Sequence, residues 1–138
     1  MQANELIITA FAGKVFAIDR ATGAQKWRVE FSEWSGGAVE LVVTEQRVIA
    51  VTGGWLGIIE RTTGKVLKKV ERKEKGAQGR PVLLVDGDRL IIGGAGAVAC
   101  WTLDGDFLWD QYFAGEGTGA VALGVPGNVR QADDAGRR

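Results

Sequence analysis

Histidine is absent from this chain of 138 residues, and cysteine occurs only once, as Cys100. Histidine is the commonest general base, transition-metal ligand and pH-sensitive side chain, so its absence removes the usual basis for acid–base catalysis and metal binding. One cysteine excludes a disulfide within the chain and any metal cage built from several cysteines. Because Cys100 lies in an apolar run, we expect a small buried hydrophobe there. The composition therefore predicts no catalytic residue, no metal and no cofactor.

The sequence also lacks an excess of charge of one sign and a long apolar run. It has 17 basic and 17 acidic residues, which indicates neither a nucleic acid nor a membrane as partner. The apolar stretch of residues 6–12 is too short to cross a bilayer. Residues 1–5 contain no basic segment of the kind that opens a signal peptide. We therefore expect a soluble, cytoplasmic protein.

Proline is scarce, with two residues, whereas glycine is abundant, with 21 residues. The glycines are spread among short runs of valine, isoleucine and leucine and are not gathered into a linker. This distribution is typical of many short strands joined by tight turns. It predicts an all-β protein.

An internal repeat organises these runs. Residues 17–27 recur at 58–68 and, with more changes, at 99–109, and each turn glycine is followed by the next after 41 residues. Every period holds four short apolar runs separated by turns, and four strands in about 40 residues are typical of a propeller blade. The sequence therefore predicts a β-propeller chain with three four-stranded blades of about 41 residues.

The predicted strands are offset by one from the blade boundaries. The first repeat lacks an innermost strand, because the chain enters it at residues 5–8 with the second strand. At the other end, Gly119–Leu123 resembles Gly37–Leu41, which lies two periods earlier. This match predicts twelve strands, the last of which is an unpaired innermost strand. We expect it to complete the first blade of another copy through Ala120, Val121 and Leu123.

The predicted blade number leaves the ring open. Propellers have roughly four to eight blades, so three blades cannot close, whereas a head-to-tail homodimer would close as a six-bladed ring. A nine-bladed trimer and a piece of a longer propeller are the alternatives. Residues 1–125 are predicted to form the half propeller. Residues 126–138 are too polar to bury a core and are predicted to be a flexible tail.

One segment of the repeat has a specific resemblance. The pattern Ala-x-Asp-x-x-Thr-Gly-x-x-x-Trp of residues 17–27 resembles the tryptophan-docking motif of PQQ-like, quinoprotein-type propeller repeats. The resemblance spans about residues 5–125 and implies that the tryptophan locks its blade against the backbone of the next one. It assigns this blade-docking role to Ala17, Asp19, Thr22, Gly23, Trp27, Gly64, Gly105 and Trp109.

The motif is incomplete in the later repeats. Lys68 stands at the docking position of the second repeat, which predicts a weaker contact between the second and third blades. The acidic position of the motif is conservatively replaced by Glu60 and is broken by Trp101.

The resemblance also raises an enzymatic hypothesis, because PQQ-dependent dehydrogenases belong to the same repeat family. For those enzymes it implies a vicinal cysteine pair over the cofactor and a calcium ion in the central channel. This chain has one cysteine, and its predicted innermost strands offer only Glu40 as a carboxylate. We therefore expect no enzyme.

Two surface features could serve a partner. Lys65–Arg80 carries seven basic and two acidic residues, which would protect an exposed strand edge or form a docking rim for an acidic partner. Trp34 and Trp55 are predicted in loops on one face, as anchors for a protein partner or as packing between loops.

These features favour a non-catalytic scaffold or protein-interaction module assembled from two half-propeller chains. Its partners would be a second copy of the chain and another protein or peptide, including an acidic one. The alternative is a ligand- or quinone-binding propeller that is a degenerate relative of PQQ-dependent dehydrogenases.

Overall fold

The computed structural model describes residues 5–31, 33 and 38–132, and these form thirteen β-strands in four antiparallel sheets. Sheet I has three strands in the order β1-β2-β3, which are Leu6–Phe11, Lys14–Asp19 and Gln25–Glu30. Among the described residues it contains no strand before β1, as the sequence predicts for the first repeat.

Sheets II and III have four strands each, in chain order. Sheet II consists of β4 (Glu40–Val43), β5 (Arg47–Thr52), β6 (Trp55–Glu60) and β7 (Val66–Glu71). Sheet III consists of β8 (Val82–Asp86), β9 (Arg89–Gly94), β10 (Ala97–Thr102) and β11 (Phe107–Tyr112). The predicted four-strand order is confirmed for these two sheets.

The last strand of each sheet follows a turn that only glycine fits well. Gly23, Gly64 and Gly105 have φ angles of 78°, 81° and 89°, a backbone region that side chains with a Cβ rarely adopt. Beyond each glycine the pairing shifts by one residue, for example between Ala17 and Ile18 of β2. Such a bulge increases the local strand twist and re-aims the side chains next to it.

The sheets pack face to face, and the buried side chains lie between them. Sheets I and II enclose a cluster that includes Val15, Trp27, Val48 and Ile59. Sheets II and III enclose a second cluster of apolar side chains, which includes Ile49, Leu56, Leu90 and Trp101. Val15, Val48, Ile59, Leu56 and Leu90 are fully buried, so both contacts are dry cores.

The C-terminal segment differs from the prediction. The strand expected at residues 120–123 instead comprises Leu123–Val125 (β12), and it pairs with Asn128–Arg130 (β13) of the same chain. Ala120 and Val121 lie outside any strand. The count of twelve strands is therefore wrong for the described residues, and the predicted tail from residue 126 contains β13 within them.

Contacts with sheet III explain the additional hairpin. Leu123 is buried in a third cluster with Val82 and Leu84. The Asn128 side-chain amide donates a hydrogen bond of 3.0 Å to the carbonyl oxygen of Val85. The hairpin thus gains order from β8, although its own strands are only three residues long.

Within the described ranges, no helix has the length and apolar character required to span a bilayer.

Candidate functional site

The contact between sheets I and II, seam I–II, is organised by Trp27. The indole nitrogen donates a hydrogen bond of 2.8 Å to the backbone carbonyl of Arg61. The ring lies against Gly64, where an added Cβ would stand 2.7 Å from the indole carbons. Trp27 is only 8% exposed, so a large aromatic surface is buried together with its polar atom. Gly64 therefore serves both the turn and the close approach of the ring.

The contact between sheets II and III, seam II–III, has Lys68 at the equivalent place. Its aliphatic chain lies over Gly105, where an added Cβ would stand 3.2 Å from Cδ of Lys68. Its ammonium group forms an ion pair of 2.7 Å with Asp106. The hydrogen bond from Lys68 holds the pKa of the Asp106 carboxyl below its ordinary value. Lysine thus takes the place of the docking tryptophan by covering the glycine with its stem and pairing its charge.

A buried ion pair, which no local sequence pattern predicts, supports the same region. Arg72 and Glu74 approach to 3.1 Å with side chains that are 2% and 3% exposed. Arg72 also donates to the backbone carbonyls of Thr52 and Ala77, and the Trp101 indole donates to Glu74. Burial lowers the pKa of Arg72 from its ordinary value, an effect that the charge and hydrogen bond of Glu74 oppose. The pair links sheet II to sheet III through Trp101.

The third docking residue, Trp109, is not covered by another sheet in the part of the chain that the structure describes. Trp109 pairs with Cys100 across β10 and β11, as Trp27 pairs with Ala17 across β2 and β3. Trp109 is nevertheless 49% exposed. We call its side of the sheet the outer face of sheet III; it is formed by Ile91, Val98, Cys100 and Trp109. The C-terminal hairpin covers only part of this face, because it packs near Ile91 and Val98.

Sheet I has an uncovered face at the other end of the chain. We call it the outer face of sheet I; it is formed by Ile7, Phe11, Phe16 and Ile18. Phe11 and Phe16 stack on each other with ring centroids 5.3 Å apart. Ile7 and Phe11 are 43% and 57% exposed. Two apolar faces of this kind, one at each end of a stack of sheets, are typical of surfaces that bind another protein.

The remaining docking residues shape the turn itself. Ala17 is fully buried beneath Trp27 in the core of seam I–II. The Asp19 carboxylate accepts a hydrogen bond of 2.8 Å from the backbone N–H of Ala21. The Thr22 hydroxyl accepts one of 3.2 Å from the N–H of Ala24. These bonds to nearby backbone are the usual reason for Asp and Thr in turns.

Of the two proposed aromatic anchors, only Trp55 can be compared with the prediction. Trp34 lies outside the described residues. Trp55 is the first residue of β6 and does not lie in a loop; it packs against the core of seam I–II with Lys69 above its ring. Trp55 is thus engaged within the chain, and it is not a free loop anchor.

The basic run Lys65–Arg80 is largely paired within the chain. Its cations approach carboxylates or rings in the following pairs: Lys68 with Asp106, Lys69 with Glu33, Arg72 with Glu74, Lys73 with Glu71, Arg80 with Glu40, and Lys75 over Tyr112. These contacts reduce the positive charge that the run would offer to an acidic partner.

A groove of about 660 Å³ lies between the outer strands β7 and β11. Its walls include Trp101 and Phe107, whose rings meet edge to face at 5.4 Å. Glu74 lines the groove as well, and its Oε1 atom is buried without a hydrogen-bond partner.

The repeated antiparallel sheets and their docking turns define a protein of the β-propeller class. The family model described as "Outer membrane protein assembly factor BamB" matches residues 2–137, so the chain belongs to this family of PQQ-like repeats. The resemblance inferred from the docking motif is confirmed. No curated protein matches the sequence.

The chain spans less than half the length of the solved structures that it matches. BamB from Moraxella catarrhalis is 21% identical with a TM-score of 0.63, and the match covers 92% of this chain and 39% of that one. A europium-containing methanol dehydrogenase is 18% identical with a TM-score of 0.58, covering 78% and 22%. Quinohemoprotein alcohol dehydrogenase from Comamonas testosteroni is 19% identical with a TM-score of 0.61, covering 78% and 19%. These likenesses show the fold.

The residues present do not fit the PQQ site that the dehydrogenase resemblance implies. Cys100 is the chain's one cysteine and is buried within β10, where burial raises the pKa of its thiol. A vicinal cysteine pair therefore cannot form. Glu40, the expected channel carboxylate, lies 3.8 Å from the Arg80 guanidinium. We derive no redox step for this chain.

Proposed function

We propose that this chain is a non-catalytic protein-interaction module whose sheets I–III are three blades of a ring closed by a second copy. The observation that carries the proposal is the pair of open faces at the two ends of the stack. Seams I–II and II–III bury their apolar side chains, whereas Ile7 and Phe11 on the outer face of sheet I and Trp109 on the outer face of sheet III are exposed. A head-to-tail contact between copies would cover both faces at once, and such contacts close into rings.

The strand order supports the same assembly. Within residues 5–31, sheet I has no strand at the place that β4 and β8 occupy in sheets II and III. Leu123 of β12 stands two repeats of 41 residues after Leu41 of β4. β12 would therefore complete sheet I of the second copy as its innermost strand, pairing with β1 of that copy. Pairing with β12 would also protect the open edge of β1 from unspecific strand addition.

This assembly requires β12 to exchange one neighbour for another. In the isolated chain β13 pairs with β12 over three residue pairs, from Leu123–Arg130 to Val125–Asn128. β1 offers six residues, so it could replace the shorter strand with more hydrogen bonds. β13 would then act as a temporary cover of β12.

Two truncations with opposite expected results test the closure. A chain that ends at Val125 keeps β12 and frees its edge, and we expect it to dimerise more tightly than the full chain. A chain that ends at Gly117 lacks β12 and should be monomeric. Light scattering after gel filtration measures both, and circular dichroism checks the fold. Monomers for both the full chain and the chain ending at Val125, at the highest attainable concentration, would contradict the proposal.

The protein-interaction role is supported by the family, whose description names an assembly factor. The lack of histidine and of a second cysteine supports a non-catalytic role. An alcohol dehydrogenase assay with added PQQ and calcium tests this point, and turnover above the buffer control would contradict it.

The proposed compartment is the cytoplasm, from the sequence. The family description names the outer membrane, and a location in the cell envelope is therefore the alternative. Fractionation of cells that express the native gene decides between the cytoplasm and the cell envelope.

Binding of a planar ligand such as a quinone is the second candidate. The groove between β7 and β11 supports it, because its volume suits a small molecule and Trp101 and Phe107 offer aromatic walls. Saturable quenching of tryptophan fluorescence by a soluble quinone, lost in Phe107→Ser, would support this role. Quenching that is linear in quinone concentration would contradict it.

A further inference from the structure

The three turn glycines share one backbone geometry but not one environment. Gly23, Gly64 and Gly105 all have positive φ angles, between 78° and 89°. A Cβ at Gly64 would meet the Trp27 ring, and a Cβ at Gly105 would meet Ile58 and Lys68 within 3.2 Å. A Cβ at Gly23 would have no atom of the described residues within 4 Å. Two of the glycines are therefore covered by the preceding sheet, and Gly23 is open.

The docking residues show the complementary pattern. Trp27 is buried on the turn of sheet II, and Lys68 covers the turn of sheet III. Trp109 holds the same place on its own sheet, opposite Cys100, but it is 49% exposed. In the described residues of one chain, the glycine turn of sheet I is therefore not covered by a side chain, and the Trp109 indole of sheet III is exposed.

We propose that Trp109 docks on the Gly23 turn of a second copy and donates its indole N–H to the carbonyl oxygen of the partner's Arg20. This inference rests on the proposed two-chain closure and assigns the residues of its seam. The contact would repeat seam I–II, in which Trp27 lies on Gly64 and donates to Arg61.

The backbone around the two arginines supports their equivalence. The N–H of Arg20 donates to the Glu5 carbonyl at 2.7 Å, and the N–H of Arg61 donates to the Gln46 carbonyl at 3.0 Å. Each arginine therefore directly follows the second-last strand of its sheet, β2 or β6, and begins an equivalent turn. The Arg20 carbonyl would thus stand where the indole of an incoming chain requires an acceptor.

A second copy is favoured as the occupant because the chain itself carries both halves of the contact. The docking indole and the glycine turn lie on the two end sheets, so each copy can offer one half to its neighbour. A contact between different surfaces of identical chains is heterologous. When each of the two copies docks its Trp109 on the other copy, the two contacts close the ring.

Seam II–III provides the chemistry for a decisive test. There a lysine covers the glycine and pairs with Asp106, the residue that follows Gly105. Ala24 follows Gly23 as Asp106 follows Gly105. The two residues also make the same turn hydrogen bond: the Ala24 carbonyl accepts from the Asp19 N–H at 2.8 Å, and the Asp106 carbonyl accepts from the Thr102 N–H at 2.8 Å. The double variant Trp109→Lys with Ala24→Asp should therefore rebuild the lysine–aspartate seam between two chains.

The experiment measures self-association of the full chain by sedimentation equilibrium. We expect Trp109→Lys to weaken the dimer by about tenfold to a hundredfold, because tryptophan is a typical hot-spot residue. Ala24→Asp added to it should restore most of the affinity. The restored dimer should weaken as salt is raised, whereas the wild-type dimer should not, because only the former depends on an ion pair.

Leu108→Lys is the matched control. It makes the same change of charge at a neighbouring residue that is 41% exposed. Sheet I has a lysine, Lys26, at the equivalent position beside the seated Trp27, so a lysine there is compatible with docking. The control should dimerise like the wild type, and circular dichroism should show that all variants are folded.

The outcomes separate this inference from the closure on which it rests. A monomeric wild-type chain would overturn both. A wild-type dimer that Trp109→Lys leaves intact, or that Leu108→Lys weakens equally, would overturn the seam and leave the closure standing. Loss of the dimer in Trp109→Lys without recovery in the double variant would overturn the assignment of the partner's Gly23 turn.

Discussion

Seams I–II and II–III cover equivalent glycine turns with different side chains. Both close over a glycine with a positive φ angle, Gly64 in the first and Gly105 in the second. In the first seam a neutral indole is buried and hydrogen bonded to a backbone carbonyl. In the second a lysine, whose side chain is 39% exposed, pairs with an aspartate. The glycine turn is the constant part of the seam, and the side chain that covers it can vary.

The difference also shows where each seam finds its stability. Seam I–II concentrates burial on one large aromatic side chain, whereas the exposed ion pair of seam II–III contributes little by itself. Seam II–III has the buried Arg72–Glu74 pair and Trp101 in addition. Residues outside the docking motif thus add contacts to the seam for which the motif predicts weaker docking.

The largest expected effect comes from removing the indole of seam I–II. Trp27→Ala leaves a cavity over Gly64 and an unpaired Arg61 carbonyl, and should lower the free energy of unfolding by about 4 kcal/mol. Lys68→Ala at the equivalent position should cost far less, because its ammonium group is exposed. Urea denaturation of the two variants measures the contrast. Equal losses would show that the two seams do not differ as described.

The buried ion pair should account for most of the remaining strength of seam II–III. Arg72→Met leaves the Glu74 carboxylate buried without its cation and should cost about 3 kcal/mol. Arg72→Met combined with Glu74→Leu should recover part of this loss, because the uncompensated charge is removed. A double variant no more stable than the single one would contradict this explanation.

The two glycine turns offer a matched pair of smaller effects. Gly23→Ala introduces only the strain of a positive φ angle, about 1 kcal/mol. Gly64→Ala adds a clash with the Trp27 ring, so it should cost about 1–3 kcal/mol more. Thermal unfolding of the chain ending at Gly117, which we expect to be monomeric, measures both without the influence of self-association. A cost for Gly23→Ala as large as that for Gly64→Ala would argue that the Trp27 ring does not rest on Gly64.

The smallest expected effect is the pH dependence of the Lys68–Asp106 pair. The folded-state pKa of Asp106 lies below its ordinary value, mainly because of the hydrogen bond from Lys68. The pair therefore contributes its full stability above the unfolded-state pKa, and this contribution is lost as the pH falls through the folded-state pKa. Asp106→Asn should flatten the acid limb of the stability curve slightly. An unchanged acid limb would mean that the pair adds no measurable stability in solution.

The fold was predictable to the extent that local signals repeat. Sheets II and III follow from apolar runs and turn glycines, and the first sheet's missing strand follows from the start of the repeat. β13 was missed because its three residues carry no strand pattern, and its order comes from Leu123 and Asn128 against β8.

The candidate site was predictable only where the docking motif is complete. The motif identified Trp27 and Gly64 as docking residues, but it predicted neither their direct contact nor the position of Lys68 over Gly105. A lysine at the docking position and an aspartate directly after the glycine were the available signal for that contact. The burial of Arg72 had no such signal, because the surrounding run reads as a solvent-exposed basic segment.

The sequence by itself determined the repeat, the strands and the turns, because these depend on backbone preferences and on apolar spacing within a few residues. The tertiary structure decided which side chain covers each glycine, which cations are paired and which faces stay open. These outcomes depend on contacts between residues far apart in the chain, such as Trp27 and Arg61, 34 residues apart. Burial and hydrogen-bond partners across such distances are set by how the sheets pack, and local sequence patterns do not encode them.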